Sequence, residues 1–96
     1  MKYEIEKTNI FDSWLNSLKD KTAVNRIIAR IYRVEHGNFG DVKSVGKNLF
    51  ELRFFFGSGY RIYYTIKGKK IVLLLCGGDK SSQKQDIARA KTIIGE

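Results

Sequence analysis

Between Leu49 and Cys76 the chain runs as three apolar segments, roughly 49–56, 60–67 and 70–76, separated only by Gly57-Ser58-Gly59 and by Gly68-Lys69. Connections this short cannot cross over a sheet, so the segments are expected to pair as antiparallel strands through two hairpins. That meander sets the centre of the fold, and the remaining chain has to cover it. Residues 2–7 alternate apolar and polar and predict a short strand. Phe11, Trp14, Leu15 and Leu18 then recur at helical spacing behind Asn9 as N-cap. A second helix is expected from about Thr22 to His36, with Val24, Ile27, Ile28, Ile31 and Val34 as its apolar stripe and Gly37 as a left-handed C-cap. The glycine-rich stretch 37–48 has no helical period and reads as a loop. A last helix is expected from Ser81 or Ser82 to about Ile94, with Ser82 and Gln85 forming a capping box. The order βααβββα describes an α+β domain over residues 1–96, with one mostly antiparallel sheet and helices packed on one face.

Composition removes several classes. A chain of 96 residues with 43% hydrophobic and 29% charged residues has the balance of an ordinary globular domain with one small core. The longest apolar run, Ile71 to Cys76, is far below the ~20 residues that span a bilayer. The alternating N-terminus lacks the apolar centre of a secretory leader, so a cytoplasmic protein without membrane contact is expected. One cysteine, Cys76, and one histidine, His36, offer no internal disulfide and no metal-ligand set, so neither metal nor cofactor is expected. Cys76 reads as a small hydrophobe at a strand end, and His36 as a partner of a helix C-terminus. Gly77 and Gly78 precede Ser81 and Ser82 without the spacing or the lysine of a phosphate loop.

The formal net charge is +8, and from Arg53 to Lys91 nine basic residues face two acids, Asp79 and Asp86. A polyanion or an acidic protein is therefore the expected partner. If Phe56 faces Tyr60 and Lys67 faces Lys70, alternation divides the strands into two faces. Phe50, Leu52, Phe54, Phe56, Tyr60, Ile62, Tyr64, Ile66, Ile71, Leu73 and Leu75 form the apolar face, expected beneath the helices. Glu51, Arg53, Phe55, Arg61, Tyr63, Thr65, Lys67, Val72, Leu74 and Cys76 form the other face, expected to be open. In this register Arg53 lies opposite Tyr63, Phe55 opposite Arg61, and Arg61 opposite Cys76. Arg61, Phe55 and Lys80 should then meet at one end of the sheet, with Arg53 one step inward. Guanidinium groups interleaved with aromatic rings suit single-stranded nucleic acid, while the same pairs could simply cover an exposed sheet. Arg26, Arg30 and Arg33 line one side of the second helix, either as a solvated face or as a contact for phosphate or an acidic partner.

Several short motifs, in this order, resemble the RelE/ParE toxin superfamily and within it the phage-derived HigB-like addiction-module killer group. They are Gly-Asn-Phe-Gly-Asp-Val-Lys at 37–43, Glu51-Leu52-Arg53, Gly59-Tyr60-Arg61-Ile62-Tyr63, and Leu73 through Gln83 with Asp86-Ile87 and Ala90. The resemblance covers nearly the whole chain and implies a toxin neutralised by a cognate antitoxin, expected as an acidic segment on a helix-turn-helix DNA-binding protein. For RelE- and HigB-type members it implies metal-independent cleavage of mRNA on the ribosome by 2′-hydroxyl transesterification; for ParE-type members it implies gyrase binding. A non-catalytic RNA-binding module is a third reading of the same basic face. Arg61 and Lys80 stand at the family's basic positions, with Arg53, Lys43 and Lys47 matching less tightly, so the resemblance makes Arg61, Lys80 and Arg53 the expected catalytic cations and Lys43 and Lys47 expected RNA contacts. The strand faces add Phe55 and Tyr63, and the stripe of the second helix adds Arg26, Arg30 and Arg33, as further expected RNA contacts. Residues 77–96 contain none of the tyrosine or histidine that RNA-cleaving relatives place there as acid or base. Glu51, Lys43 and Tyr63 remain open as substitutes for that role.

Overall fold

Five strands and three helices are laid out in a computed structural model that describes residues 2–95. The order is β1 (Glu4–Lys7), α1 (Asn9–Ser17), α2 (Lys21–Glu35), β2 (Val42–Gly46), β3 (Leu49–Arg53), β4 (Arg61–Lys67), β5 (Ile71–Gly78), a 3-10 turn at Lys80–Ser82 and α3 (Gln83–Ile93). The strands form one sheet in the order β1-β5-β4-β3-β2, antiparallel except where β1 runs beside β5. The α+β class and the mostly antiparallel sheet are as expected. The stretch expected as a loop contributes the edge strand β2, so the order is βααββββα. With only Val42 and Val45 as apolar residues, β2 carries too little alternation to be read from sequence; its pairing with β3 holds it in place.

Thr8 rather than Asn9 caps α1, its hydroxyl accepting from the Phe11 amide at 3.0 Å. Asp20 caps α2, and Gly37 at φ 91° closes it, with the amides of Gly37 and Asn38 bonded back to Val34 and Arg33. The capping box before α3 is Asp79 with Ser82, one turn earlier than the expected Ser82 and Gln85.

Both hairpin registers differ from the shortest-turn expectation. In the first, Arg53 stands opposite Arg61 and Glu51 opposite Tyr63, a shift of two residues that leaves the faces unchanged. In the second, Lys67 pairs with Ile71, and Lys69 takes a left-handed φ of 60° in the turn. That odd shift reverses β5. Val72 and Leu74, expected on the open face, pack with Ile62 and Tyr64 against Phe11, Ile27 and Val34 of α1 and α2. Ile71 and Leu73 pass to the opposite side, and an irregularity between Tyr63 and Tyr64 leaves Leu75 as the extra residue of a bulge.

The opposite side is covered by α3. Ala90 packs with Leu49, Tyr63, Leu75 and Cys76, and Ile87 and Ile93 close the edge of that cluster. The helices therefore occupy both faces, in contrast to the expected single covered face. The open part of the basic face is reduced to its end, where β3 and β4 separate into the 54–60 loop. Gly77 and Gly78 belong to this packing: a Cβ at Gly77 would enter the Trp14 ring, and one at Gly78 would meet the Asp86 carboxylate.

Candidate nucleic-acid interface

At that end of the sheet, the 54–60 loop meets the turn that follows β5. Asp79 accepts from the Ser81 amide at 2.9 Å and the Ser81 hydroxyl at 2.6 Å, bonds that hold its carboxyl below the usual carboxylate range. Ser82 in turn donates to Asp86 at 2.6 Å. The turn places Lys80 against the loop, its amide 3.4 Å from the Ser58 carbonyl. A cleft of about 300 Å³ opens there, lined by Phe55, Ser58, Gly59, Arg61 and Lys80 among others. Phe55 is 76% exposed, and the guanidinium carbons of Arg53 and Arg61 lie 5.5 and 6.0 Å from its ring centre. Arg61, Phe55 and Lys80 thus converge as the sequence reading expects.

Arg61 is not a surface charge. It is 5% exposed, and its Nη1 donates to the carbonyls of Phe54, Gly59 and Tyr60 at 3.2, 3.0 and 3.1 Å. These bonds tie both sides of the loop together, and the Phe54 amide adds a bond to the Tyr60 carbonyl at 3.1 Å beyond the last β3–β4 pair. Beneath it Glu51, fully buried, accepts from Tyr63 at 3.0 Å and Gln83 at 2.7 Å through Oε2. Glu51 Oε1 lies 3.9 Å from Arg61 Nε, and neither atom has a hydrogen-bond partner. Tyr63 is fully buried, and burial and the Glu51 carboxylate push its phenol far above its ordinary value. This corrects the expectation that Tyr63 stacks on RNA, and it leaves Tyr63 and Glu51 without access to a substrate proton.

A second cleft, of about 380 Å³, lies on the other side of Phe55 and is lined by Arg26, Arg30, Arg33, Asp41, Arg53 and the run Phe54-Phe55-Phe56. Each ring of that run carries an arginine from this cleft: Arg30 over Phe54 at 4.9 Å, Arg53 over Phe55 at 5.5 Å and Arg26 over Phe56 at 4.8 Å. Arg53 also grips Asp41 with two bonds of 3.1 and 3.3 Å. Arg30 is 9% exposed and donates to the carbonyls of Phe39, Arg53 and Asp41 at 2.8, 3.0 and 3.0 Å. Burial, followed by the nearby Arg33, lowers its pKa. Arg30 therefore pins the loop before β2 to the end of β3, each of its three nitrogens bonded to a main-chain carbonyl and its side chain buried, which corrects its expected role as an RNA contact. A Cβ at Gly40 would strike this guanidinium.

The lysines divide. Lys43 is exposed on β2 opposite Glu51, whereas Lys47 sits at the far end of the sheet in a cleft with Thr65 and Ile93. Lys47 is not part of the site. Cys76 is buried, and burial, aided by the Asp86 carboxylate, pushes its thiol up to about 12, so it is no nucleophile. Asp41 and Gln83, which hold Arg53 and Glu51, carry no spacing signal that sequence reading could have used.

Residues 13–94 match the family described as Phage derived protein Gp49-like (DUF891). The chain belongs to that family. An uncharacterized protein of Haemophilus influenzae is 50% identical to this Gp49-like chain over 96 residues, covering 100% of it and 97% of the relative. The free structure of an arginine-to-alanine double variant of Escherichia coli toxin RelE superposes with a TM-score of 0.79 at 18% identity, covering 98% of this chain and 99% of that one. In the toxin-antitoxin complex RelBE2 of Mycobacterium tuberculosis, the matched chain gives 0.68 at 16% identity over 83% of this chain and 100% of its own length. The Gp49-like chain has the RelE toxin fold.

Proposed function

We propose that this protein is the toxin of a toxin–antitoxin pair and that it cleaves mRNA on the ribosome without a metal. The observation that carries the reading is the meeting of Arg61, Lys80 and Phe55 in one cleft, with Arg53 beside the same ring. Transesterification needs few groups: the 2′-oxygen attacks the adjacent phosphorus, the P–O5′ bond breaks, and a cyclic phosphate and a 5′-hydroxyl result. The 2′-proton leaves to water at the open mouth of the cleft, and water returns one to the departing 5′-oxygen. The protein's part is to hold the backbone in line and set cations where negative charge develops. Lys80 is the exposed cation, Arg61 the one fixed by the fold, and Phe55 the surface on which a base stacks. The RelBE complexes with the same fold make an antitoxin the natural partner of the proposed toxin.

A ParE-like, gyrase-binding action is favoured by one observation. Arg61 Nη1 is engaged by three carbonyls, and among the described residues no imidazole or phenol lines either cleft. Induced expression with primer extension on a reporter transcript separates the two. RNA cleavage predicts growth arrest with cut transcripts, both lost in Lys80→Ala. Intact transcripts with induction of the DNA-damage response would establish gyrase binding instead.

A further inference from the structure

Beyond Arg53 and the Phe55 ring it shares with the first cleft, the Arg26/Arg33/Arg53 cleft has no part in the chemistry just described. Its floor is three consecutive phenylalanines, and stacking on them leaves the edges of a guanidinium free. Those edges are differently employed. Arg30 is buried with each nitrogen bonded to a carbonyl and Arg53 is held by Asp41, but Arg26 and Arg33 are exposed and make no side-chain hydrogen bond or ion pair among the described residues. They lie seven residues apart on α2, two turns and about 10.5 Å along its axis. Two free forks lining one cleft, Arg26 stacked on Phe56 and Arg33 two turns away, continuous with a second cationic cleft across one exposed ring, make a track rather than a pocket.

We infer that this cleft binds the single-stranded RNA backbone flanking the cut, with Phe55 as the post between the two clefts and Arg26 and Arg33 as phosphate contacts. The inference rests on the RNA-cleaving reading and names where the rest of that substrate lies. A guanidinium presents paired donors that match phosphate oxygens, and the exposed ring of Phe55 accepts any base. An acidic peptide would match the arginines equally well. It would give no reason for Phe55 to stand exposed between the two clefts.

The test is equilibrium binding without ribosomes, using a fluorescent, uncleavable 2′-O-methyl RNA of about eight nucleotides. Affinity is measured across a salt series for the wild type, Arg26→Ala/Arg33→Ala and Lys80→Ala. Each lost phosphate contact on a single strand lowers the slope of log affinity against log salt by about 0.7, so the double variant should lose about 1.4. Both sites are exposed on a helix and alanine favours helix, so the fold should survive, as circular dichroism would verify. A slope unchanged in the folded double variant overturns the inference. So does a double variant that keeps its RNA slope but no longer binds a polyglutamate peptide, which would make the cleft a dock for acidic protein. The two readings fail separately: toxicity retained in Lys80→Ala removes RNA cleavage, whereas an inactive Lys80→Ala beside an unchanged slope removes only the track.

Discussion

Arg61 and Lys80 share one cleft, but they differ in what they do for the fold. Lys80 is exposed and holds no other residue through its side chain, so Lys80→Ala should shift unfolding free energy by no more than about 0.5 kcal/mol. Arg61→Ala would remove the buried counter-charge of Glu51 and the donor to three loop carbonyls, of which, among the described residues, only Tyr60 keeps another, the Phe54 amide. It should cost about 3–5 kcal/mol, read from urea denaturation of the two variants side by side. Loss of activity in Arg61→Ala is therefore uninformative about chemistry, and Lys80 and Phe55 are the positions to test. Cys76 gives a pH signature. Its thiol has an ordinary value of 9.0 unfolded and about 12 folded, so between those values the unfolded chain has lost a proton that the folded chain retains. Stability should fall as pH rises through that window, more steeply in the wild type than in Cys76→Ala, as measured by urea midpoints. Sequence shows that Arg30, Arg53 and Arg61 are cations. It does not show that two of them are buried, because their partners are main-chain carbonyls that no residue pattern marks.

Alternation placed Leu52, Ile62 and Tyr64 on the core side correctly, because a shift of two residues preserves the faces. The faces of β5 depended on one turn residue. Gly68-Lys69 reads as a two-residue connection, but Lys69 adopts a left-handed conformation and Lys70 joins the turn, and that single step exchanges Leu73 for Leu74. The polar residues Glu51, Arg61 and Thr65 look like a solvated face in sequence, whereas most of that face lies under α3, with Glu51 held by Tyr63 and Gln83. The glycine pair that ends β5 was legible only as not being a phosphate loop; its reason is the Trp14 ring and the Asp86 carboxylate. Gly77→Ala, which must displace Trp14 from α1, should destabilise by about 1–3 kcal/mol or more without touching either cleft. Its thermal midpoint should drop while RNA affinity of the folded fraction stays unchanged.

Across the whole molecule, the +8 net charge is unevenly distributed. Lys47 and Lys67 lie at one end of the sheet, while Arg26, Arg33, Arg53, Arg61 and Lys80 gather in the two clefts at the other. The fold supplies a rigid floor, a loop fixed from beneath by Arg61, and a turn that delivers Lys80 beside it. The central claim is that this end cuts RNA by 2′-hydroxyl attack. Its most direct test is single-turnover cleavage of ribosome-bound mRNA by the wild type and Lys80→Ala, with the product ends identified. The account predicts 2′,3′-cyclic phosphate and 5′-hydroxyl ends, with the rate lowered about a hundred- to a thousandfold in Lys80→Ala. Equal rates in the two proteins, or 3′-hydroxyl ends, would contradict it.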